Sequence, residues 1–160
     1  MRNTLFAVSA ELAPYVDAST ARGIALKERR TFLKHLDEDG QGLDAAWLER
    51  AETSALAVLD AQGPLTGSQL SAAVPDLRRK ITIGRGKKYE THTGVATRVI
   101  RLLAADGRIR RDRPRGSWTS SQFRWVHTAP WPAVPAAEAR AEIARRWLHA
   151  YGPATEADLA

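Results

Sequence analysis

The sequence has no cysteine and no long apolar run, and these absences narrow its class. Without cysteine the chain has neither disulfide bonds nor thiolate zinc sites. Its apolar runs are too short to cross a bilayer, and no long apolar signal core follows Met1. Hydrophobic residues make up 44% of the chain and charged residues 26%, a balance typical of a globular protein rather than a disordered one. We therefore expect a cytoplasmic protein with one full domain and part of another.

Catalytic motifs are also scarce. The four histidines are far apart and lack the spacing of metal ligands; they are His35, His92, His127 and His149. The glycine-rich segment 84–87 lacks the spacing of a phosphate-binding loop, and no serine lies in a nucleophile elbow. Glu90 lies close to His92 as an acid/base pair would, but the two fall in a segment without predicted regular structure. The sequence therefore predicts no catalytic residue, no metal and no cofactor.

Two short stretches of the chain repeat one pattern. Residues 63–70 read Gly-Pro-Leu-Thr-Gly-Ser-Gln-Leu, residues 152–159 read Gly-Pro-Ala-Thr-Glu-Ala-Asp-Leu, and each follows a helical segment. Glycine ends a helix in the left-handed conformation, proline cannot continue it, and threonine accepts a hydrogen bond from a free N–H of the next helix. The pattern predicts a tandem array of helix-turn-helix units. Since the second copy stops at Ala160, we expect the chain to be part of a longer protein.

Apolar periodicity predicts the flanking elements. Residues 4–8 are typical of a buried strand, whose partner we expect upstream of Met1. Residues 15–36 are helical, and the acidic, glycine-rich segment 37–42 marks a domain boundary. Near the other end, the proline-rich segment 128–137 is a stiff connector, and the helix 138–151 follows it.

The central region has three predicted helices. Asp44 caps the first, which ends at Gln62 and whose core face we expect to hold Trp47, Leu48, Ala51, Ala55, Leu56, Val58 and Leu59. A short second helix follows the turn at 63–66 and ends at Ala73. Residues 77–93 are predicted as irregular or partly extended. The third helix covers 94–106, and Gly107 closes it.

A β-hairpin is predicted after the third helix. Its strands are 108–111 and 122–126, with a turn at 113–116. Three helices followed by a β-hairpin form the winged-helix arrangement, in which the hairpin is the wing. The predicted fold class is therefore α+β, mainly α, with tandem winged helix-turn-helix modules of which one is complete.

Positive charge is concentrated in the same region. The net charge is +6, yet residues 78–124 contain 14 Lys or Arg and three acidic residues, a net of +11, so that the rest of the chain sums to −5. Scattered basic side chains are often only a solvated surface. Because this cluster falls inside a predicted helix-turn-helix domain, it favours contact with nucleic acid.

The third helix and the wing carry side chains that can donate to phosphates and base edges. The candidate DNA-binding residues are Lys87, Lys88, Thr97, Arg98, Arg101, Arg110, Arg111, Arg113 and Arg115. The alternative for Arg98 and Arg101 is ordinary solvated helix charge, and for Trp118 it is packing against the wing strands. No Asn or Gln lies in the third helix to pair with adenine, so no sequence preference is predicted.

Several stretches together resemble one known family. They are 84–89 (Gly-Arg-Gly-Lys-Lys-Tyr), 106–111 (Asp-Gly-Arg-Ile-Arg-Arg), 115–125 (Arg-Gly-Ser-Trp-Thr-Ser-Ser-Gln-Phe-Arg-Trp) and 151–155 (Tyr-Gly-Pro-Ala-Thr). Residues 2–6 resemble the family's Arg-Gly-Thr-Leu-His strand, with Asn and Phe as departures. Over nearly its whole length, the chain resembles bacterial winged-helix DNA-binding proteins related to the AlkZ-like DNA glycosylases.

This resemblance implies three tandem winged helices around a basic concave surface. On that reading residues 1–42 are the wing strand and connecting helix of a preceding module, 43–127 are the complete module, and 128–160 are the connector and the start of a further helix-turn-helix. Double-stranded DNA is the implied partner. We expect a monomer without membrane contact.

The resemblance leaves the activity open. Family glycosylases excise bulky alkylated purines, including crosslinked ones. They use a Gln-apolar-Gln motif in the first module that positions the attacking water. This chain has no two glutamines at that spacing, so no catalytic residue is carried over and we expect the motif upstream of Met1. Three hypotheses follow: a DNA-binding module of a multi-module repair protein, a part of a glycosylase, and a transcriptional regulator. Charge and turn chemistry support the first, the resemblance alone supports the second, and no ligand or dimerisation domain supports the third.

Overall fold

The part of the chain that the structure describes is mainly helical and has two small antiparallel hairpins. The computed structural model describes residues 8–112, 116–117, 120 and 122–159. Its α-helices are α1 (Ala13–Val16), α2 (Arg22–Asp39), α3 (Ala45–Gln62), α4 (Gly67–Ala73), α5 (Val95–Ala105), α6 (Ala136–Tyr151) and α7 (Glu156–Leu159). Its strands are β1 (Lys80–Ile83), β2 (Thr91–Gly94), β3 (Ile109–Arg111) and β4 (Trp125–His127). The predicted class, α+β and mainly α, is confirmed.

The chain divides into two compact units. One consists of residues 1–23 and 131–160, and the other of residues 24–130. In the first unit α6 packs against α1 and the π-helical turn Asp17–Ala21. The predicted strand at 4–8 lies outside the described residues except for Val8, which is exposed.

Ion pairs fasten α6 within the first unit. The Arg146 guanidinium lies 2.6 Å from carboxylate oxygens of both Glu142 and Glu11. Hydrogen bonds from Arg145 and Arg146 lower the pKa of Glu142 to about 2. Glu142 therefore stays charged at any ordinary pH.

The long helix α3 begins and ends as the sequence predicts. The Asp44 carboxylate accepts a hydrogen bond from the backbone N–H of Trp47 at 2.8 Å, and Gly63 ends the helix with a φ of +75°. The predicted core face is buried except for Val58, which is partly exposed. The Trp47 indole N–H donates to the Asp76 carboxylate at 3.1 Å, so this large side chain is both buried and hydrogen-bonded.

A reciprocal cap fixes the turn into α4. The Thr66 hydroxyl accepts from the Gln69 N–H at 3.2 Å, and the Gln69 side-chain oxygen accepts from the Thr66 N–H at 2.9 Å. Leu70 then lies fully buried in the core. Thr66 therefore has the predicted capping role.

The second copy of the turn differs from this prediction in two respects. Gly152 has a φ of −73°, so a left-handed residue does not end α6. The residue before a proline must be extended in ψ, and glycine meets that demand with either sign of φ. The Thr155 N–H and hydroxyl both donate to the Asp158 carboxylate at 2.8 Å, so its side chain is a donor here and not the predicted acceptor.

The prediction that 77–93 is irregular or partly extended is confirmed, but the pairing of its two extended stretches was not predicted. β1 and β2 form an antiparallel hairpin with Lys80 opposite Gly94 and Ile83 opposite Thr91. Alternating β-branched residues favour these strands, but the glycines and lysines of the seven-residue loop between them obscure the pattern. The buried Asp39 carboxylate at the end of α2 accepts from the Thr82 N–H at 2.8 Å and fastens the hairpin.

The second hairpin follows α5. Gly107 has a φ of +70° and ends the helix, and β3 then pairs with β4 from Ile109 opposite His127 to Arg111 opposite Trp125. The second strand begins later than predicted. Leu65 forms a single antiparallel β-bridge to β4, since its N–H and carbonyl bond the backbone of Trp125 at 3.1 and 2.7 Å.

Candidate nucleic-acid interface

Helix α5 has one buried face and one basic face. Val95, Val99 and Leu103 recur at helical spacing and are fully buried. On the remaining surface Thr97 is exposed and Arg98 is half-buried. The helix therefore presents donors to the surface while its apolar face is held in the core.

Arg101 and Arg98 differ in what they contact. The Arg101 guanidinium lies 3.1 Å from the Glu28 carboxylate of α2, and both side chains are about a third exposed. Among the described residues Arg98 has no ion pair, and it lines a cavity of about 10 Å³ together with Arg101 and Phe32. Arg98 is thus the more available of the two donors.

Beneath the interface a buried acid holds two further arginines. Glu52 is 3% exposed, and its oxygens lie 2.9 Å from Arg29 and 3.4 Å from Arg108. Arg29 also pairs with Asp106 at the end of α5. Burial raises the pKa of Glu52 against the lowering effect of the Arg29 hydrogen bond. Burial alone would lower the pKa of Arg29, but its bonds to Glu52 and Asp106 raise it.

The arginines of the β3–β4 hairpin are partly engaged by the protein. Arg110 donates to the Ala129 carbonyl at 3.2 Å. The Arg111 guanidinium lies 3.8 Å from the centre of the Phe123 ring, and Phe123 in turn meets Trp125 edge to face at 5.3 Å. Stacking holds Arg111 in place and leaves its N–H groups free to donate.

Three residues named at the wing, Arg113, Arg115 and Trp118, lie outside the described residues.

The remaining candidates lie in the loop of the first hairpin. Lys87 and Lys88 are exposed there. Arg85 of the same loop donates to the Asp39 backbone carbonyl at 2.9 Å and lies 3.3 Å from its carboxylate. Arg85 therefore anchors the loop, and the two lysines extend from it.

The AlkZ-like family model, described as DNA glycosylase AlkZ-like, matches residues 1–160. The chain belongs to this family. This confirms the resemblance read from the sequence, and the family implies DNA as the partner and a link with DNA repair. No match was found among curated proteins or among solved structures.

Two basic residues near this interface were not predicted from the AlkZ-like sequence. Arg30 and Lys34 lie one turn apart on α2 and face the loop that holds Lys87. Their spacing of four residues places them on one helix face. That spacing was the feature of the sequence that could have indicated a basic face on α2. Without the hairpin in place, nothing in the sequence connected that face with Lys87.

Histidines and acids give no sign of a catalytic or metal centre in the described ranges. The His92 ring nitrogen Nδ1 lies 3.0 Å from the Thr82 hydroxyl, and His127 lies 2.6 Å from Asp60. Glu90 accepts from the Gly86 N–H at 2.6 Å, so it does not pair with His92. Within the same ranges no group of His, Cys, Asp and Glu is arranged to hold a metal ion. None of the helices there is long and apolar enough to cross a membrane.

Proposed function

We propose that the chain binds double-stranded DNA through α5 and the wing, as a winged helix-turn-helix module of a multi-module repair protein. The order of elements supports this: α3, the Leu65 β-bridge, α4, α5 and then the β3–β4 hairpin. In this module α5 is the recognition helix. The compact unit at 24–130 contains the whole of the proposed module at 43–127. On this reading residues 1–42 and 128–160 belong to flanking modules.

The observation that carries the proposal is the basic face of α5 beside a stacked wing arginine. Thr97 and Arg98 project from a helix whose opposite face is locked in the core, and Arg111 is held by Phe123. Donors that are fixed before binding lose little side-chain entropy when they reach phosphates. This arrangement favours contact with the backbone of a duplex.

Phosphate contacts have a measurable signature. Each phosphate that a Lys or Arg neutralises lowers the slope of log K against log salt by about 0.9. A duplex labelled with a fluorophore is titrated with the protein at several salt concentrations, and anisotropy reports binding. We expect affinity that falls steeply with salt.

Variants test which residues form the DNA-binding surface. Arg98→Ala/Arg101→Ala tests α5 and Arg111→Ala/Arg113→Ala tests the wing. The control Arg140→Ala/Arg145→Ala removes the same charge from α6, where both side chains are exposed. Weaker binding and a shallower slope are expected for the first two variants only. Equal losses in all three would show a response to net charge alone and would contradict the proposed surface.

Family membership favours a second function, that of part of a glycosylase for bulky alkylated or crosslinked purines. Gln69 caps α4 and Gln41 donates to the Lys80 carbonyl at 3.1 Å, so both already have structural contacts. Duplex DNA that carries an alkylated guanine is incubated with the chain, and the released base is measured. Release above the rate in buffer would support this second function, and DNA binding without release would favour the first.

A further inference from the structure

A groove of about 370 Å³ separates α2 from the loop of the β1–β2 hairpin. Arg30 and Lys34 line it from α2, and Lys87 and Tyr89 line it from the loop. Its volume falls within the range of small-molecule sites, about 300–1,000 Å³. It has room for a ligand of the size of one nucleotide.

The groove carries excess positive charge. Arg30 is exposed and forms no ion pair in the part of the chain that is described. Lys34 lies 3.7 Å from Glu38, the one acidic residue in the lining, and both are well exposed. A hydrogen bond to Tyr89 raises the pKa of Lys87, so this side chain is a cation at neutral pH. Three cations against one carboxylate favour an anionic ligand.

The aromatic wall of the groove lies against a glycine. A Cβ atom on Gly84 would lie 2.5 Å from the Tyr89 ring carbon Cε2, and Gly84 has a φ of +69°. The ring therefore lies close against Gly84, where a Cβ atom would clash with it. Even so Tyr89 is 64% exposed. An exposed aromatic ring is a suitable platform for a base, because every base has a flat face that can stack.

His35 connects the groove with the basic face of α5. It lines this groove and also the small cavity below Arg98 and Arg101. Its ring nitrogen Nδ1 is buried and has no hydrogen-bond partner in the described ranges.

We propose that this groove binds one nucleotide of a single DNA strand, with its phosphate among Arg30, Lys34 and Lys87 and its base stacked on Tyr89. The site is separate from the duplex surface of α5 and the wing. It does not depend on the duplex proposal, because it is tested with single-stranded DNA alone.

The probe is a fluorescein-labelled oligothymidine of about eight nucleotides, a length within the range that one single-strand binding domain covers. Tyr89→Leu is expected to weaken its binding about 10-fold, since it removes the stacking surface. Tyr89→Phe keeps the ring and is expected to bind within about twofold of wild type. Arg30→Ala/Lys34→Ala is expected to weaken binding and reduce the salt slope by up to about 0.7, the value for one phosphate contact on a single strand. Arg140→Ala/Arg145→Ala, with the same charge change, is the control.

Two further binding measurements distinguish a DNA strand from a free nucleotide as the ligand. A labelled abasic oligomer of equal length is expected to bind more weakly than oligothymidine and to be insensitive to Tyr89→Leu. Free thymidine monophosphate is expected to compete only weakly. Strong competition by the free nucleotide would overturn the assignment to a DNA strand.

Three other results would also overturn the proposal. One is Tyr89→Leu binding oligothymidine as wild type does, which removes the stacking role. Another is Tyr89→Phe losing as much affinity as Tyr89→Leu, which points to the hydroxyl or to the shape of the loop. The third is Arg98→Ala/Arg101→Ala abolishing oligothymidine binding while the groove variants leave it unchanged, which places single strands on α5. Far-ultraviolet circular dichroism confirms that each variant is folded.

Discussion

The cations around α5 and those of the α2–hairpin groove differ in what they already contact. Arg101, Arg108 and Arg110 each bond a carboxylate or a carbonyl of the protein. In the groove, Arg30 is exposed and has no ion pair among the described residues, and Lys34 has only an exposed contact with Glu38 at 3.7 Å. Lys88, in the hairpin loop but outside the groove lining, is also exposed and without an ion pair in those ranges. Equal charges in the sequence therefore serve two purposes: some hold the fold together, and others remain available to a ligand.

This difference limits what a count of charges can predict. The net charge of +11 in residues 78–124 indicates a basic surface for an acidic partner. Several of these lysine and arginine side chains, however, are neutralised inside the protein. Arg29 and Arg108 meet on Glu52, so Arg108 adds little to the field at the surface. Affinity for DNA is expected to follow the available cations and not the total.

The largest effect is expected from breaking the buried cluster. Glu52→Ala leaves Arg29 and Arg108 without their shared carboxylate and is expected to lower the free energy of unfolding by about 3 kcal/mol. Lys88→Ala, which removes an exposed and unengaged cation, is expected to leave stability nearly unchanged. Urea denaturation measures both. Equal stability of the two variants would contradict the division into structural and available cations.

The salt dependence of DNA binding is a second test of the difference between structural and available cations. Arg98→Ala is expected to weaken duplex binding about tenfold and to reduce the salt slope by about 0.9, because on the proposed function Arg98, which has no ion pair among the described residues, contacts one phosphate. Arg108→Ala removes one charge as well, but it is expected to lower stability and leave the slope unchanged. Fluorescence anisotropy of a labelled duplex distinguishes them, and a similar loss of slope in both would refute the distinction.

A structural cation can be converted into an available one. Glu28→Gln releases Arg101 from its ion pair and is expected to tighten duplex binding about threefold with a steeper salt slope, by up to about 0.9. The matched control is Glu138→Gln, which changes the net charge equally at an exposed position of α6. If both variants bind equally, the Glu28–Arg101 pair does not restrain the interface.

The smallest expected effect is a pH dependence of stability. Burial raises the pKa of Glu52 above its ordinary value of 4.5. Between pH 4.5 and the folded pKa, the folded protein therefore binds more protons than the unfolded chain. Stability relative to Glu52→Gln is therefore expected to fall as pH rises from 4.5 through the folded pKa. Urea denaturation of both proteins between about pH 4 and 7 measures the difference. A difference that grows with pH would show that the ion pairs outweigh burial.

The sequence by itself determined the local structure of this protein. The Asp44 cap of α3, the Thr66 cap of α4 and the buried face of α5 were all predicted and are confirmed. Each depends on residues three or four positions apart, so hydrogen bonding and helical periodicity are sufficient to specify it. The motifs that resemble the AlkZ-like family were equally local, and the family match confirms the resemblance.

Only the tertiary structure decided which charges are available and where the groove lies. Arg101 meets Glu28 across 73 positions of sequence, and Arg29 meets Asp106 across 77. The β1–β2 hairpin was missed because the buried Asp39 of α2, which holds Thr82, lies 43 positions away. Pairings between distant residues depend on how helices and hairpins pack, and neither periodicity nor composition contains that information.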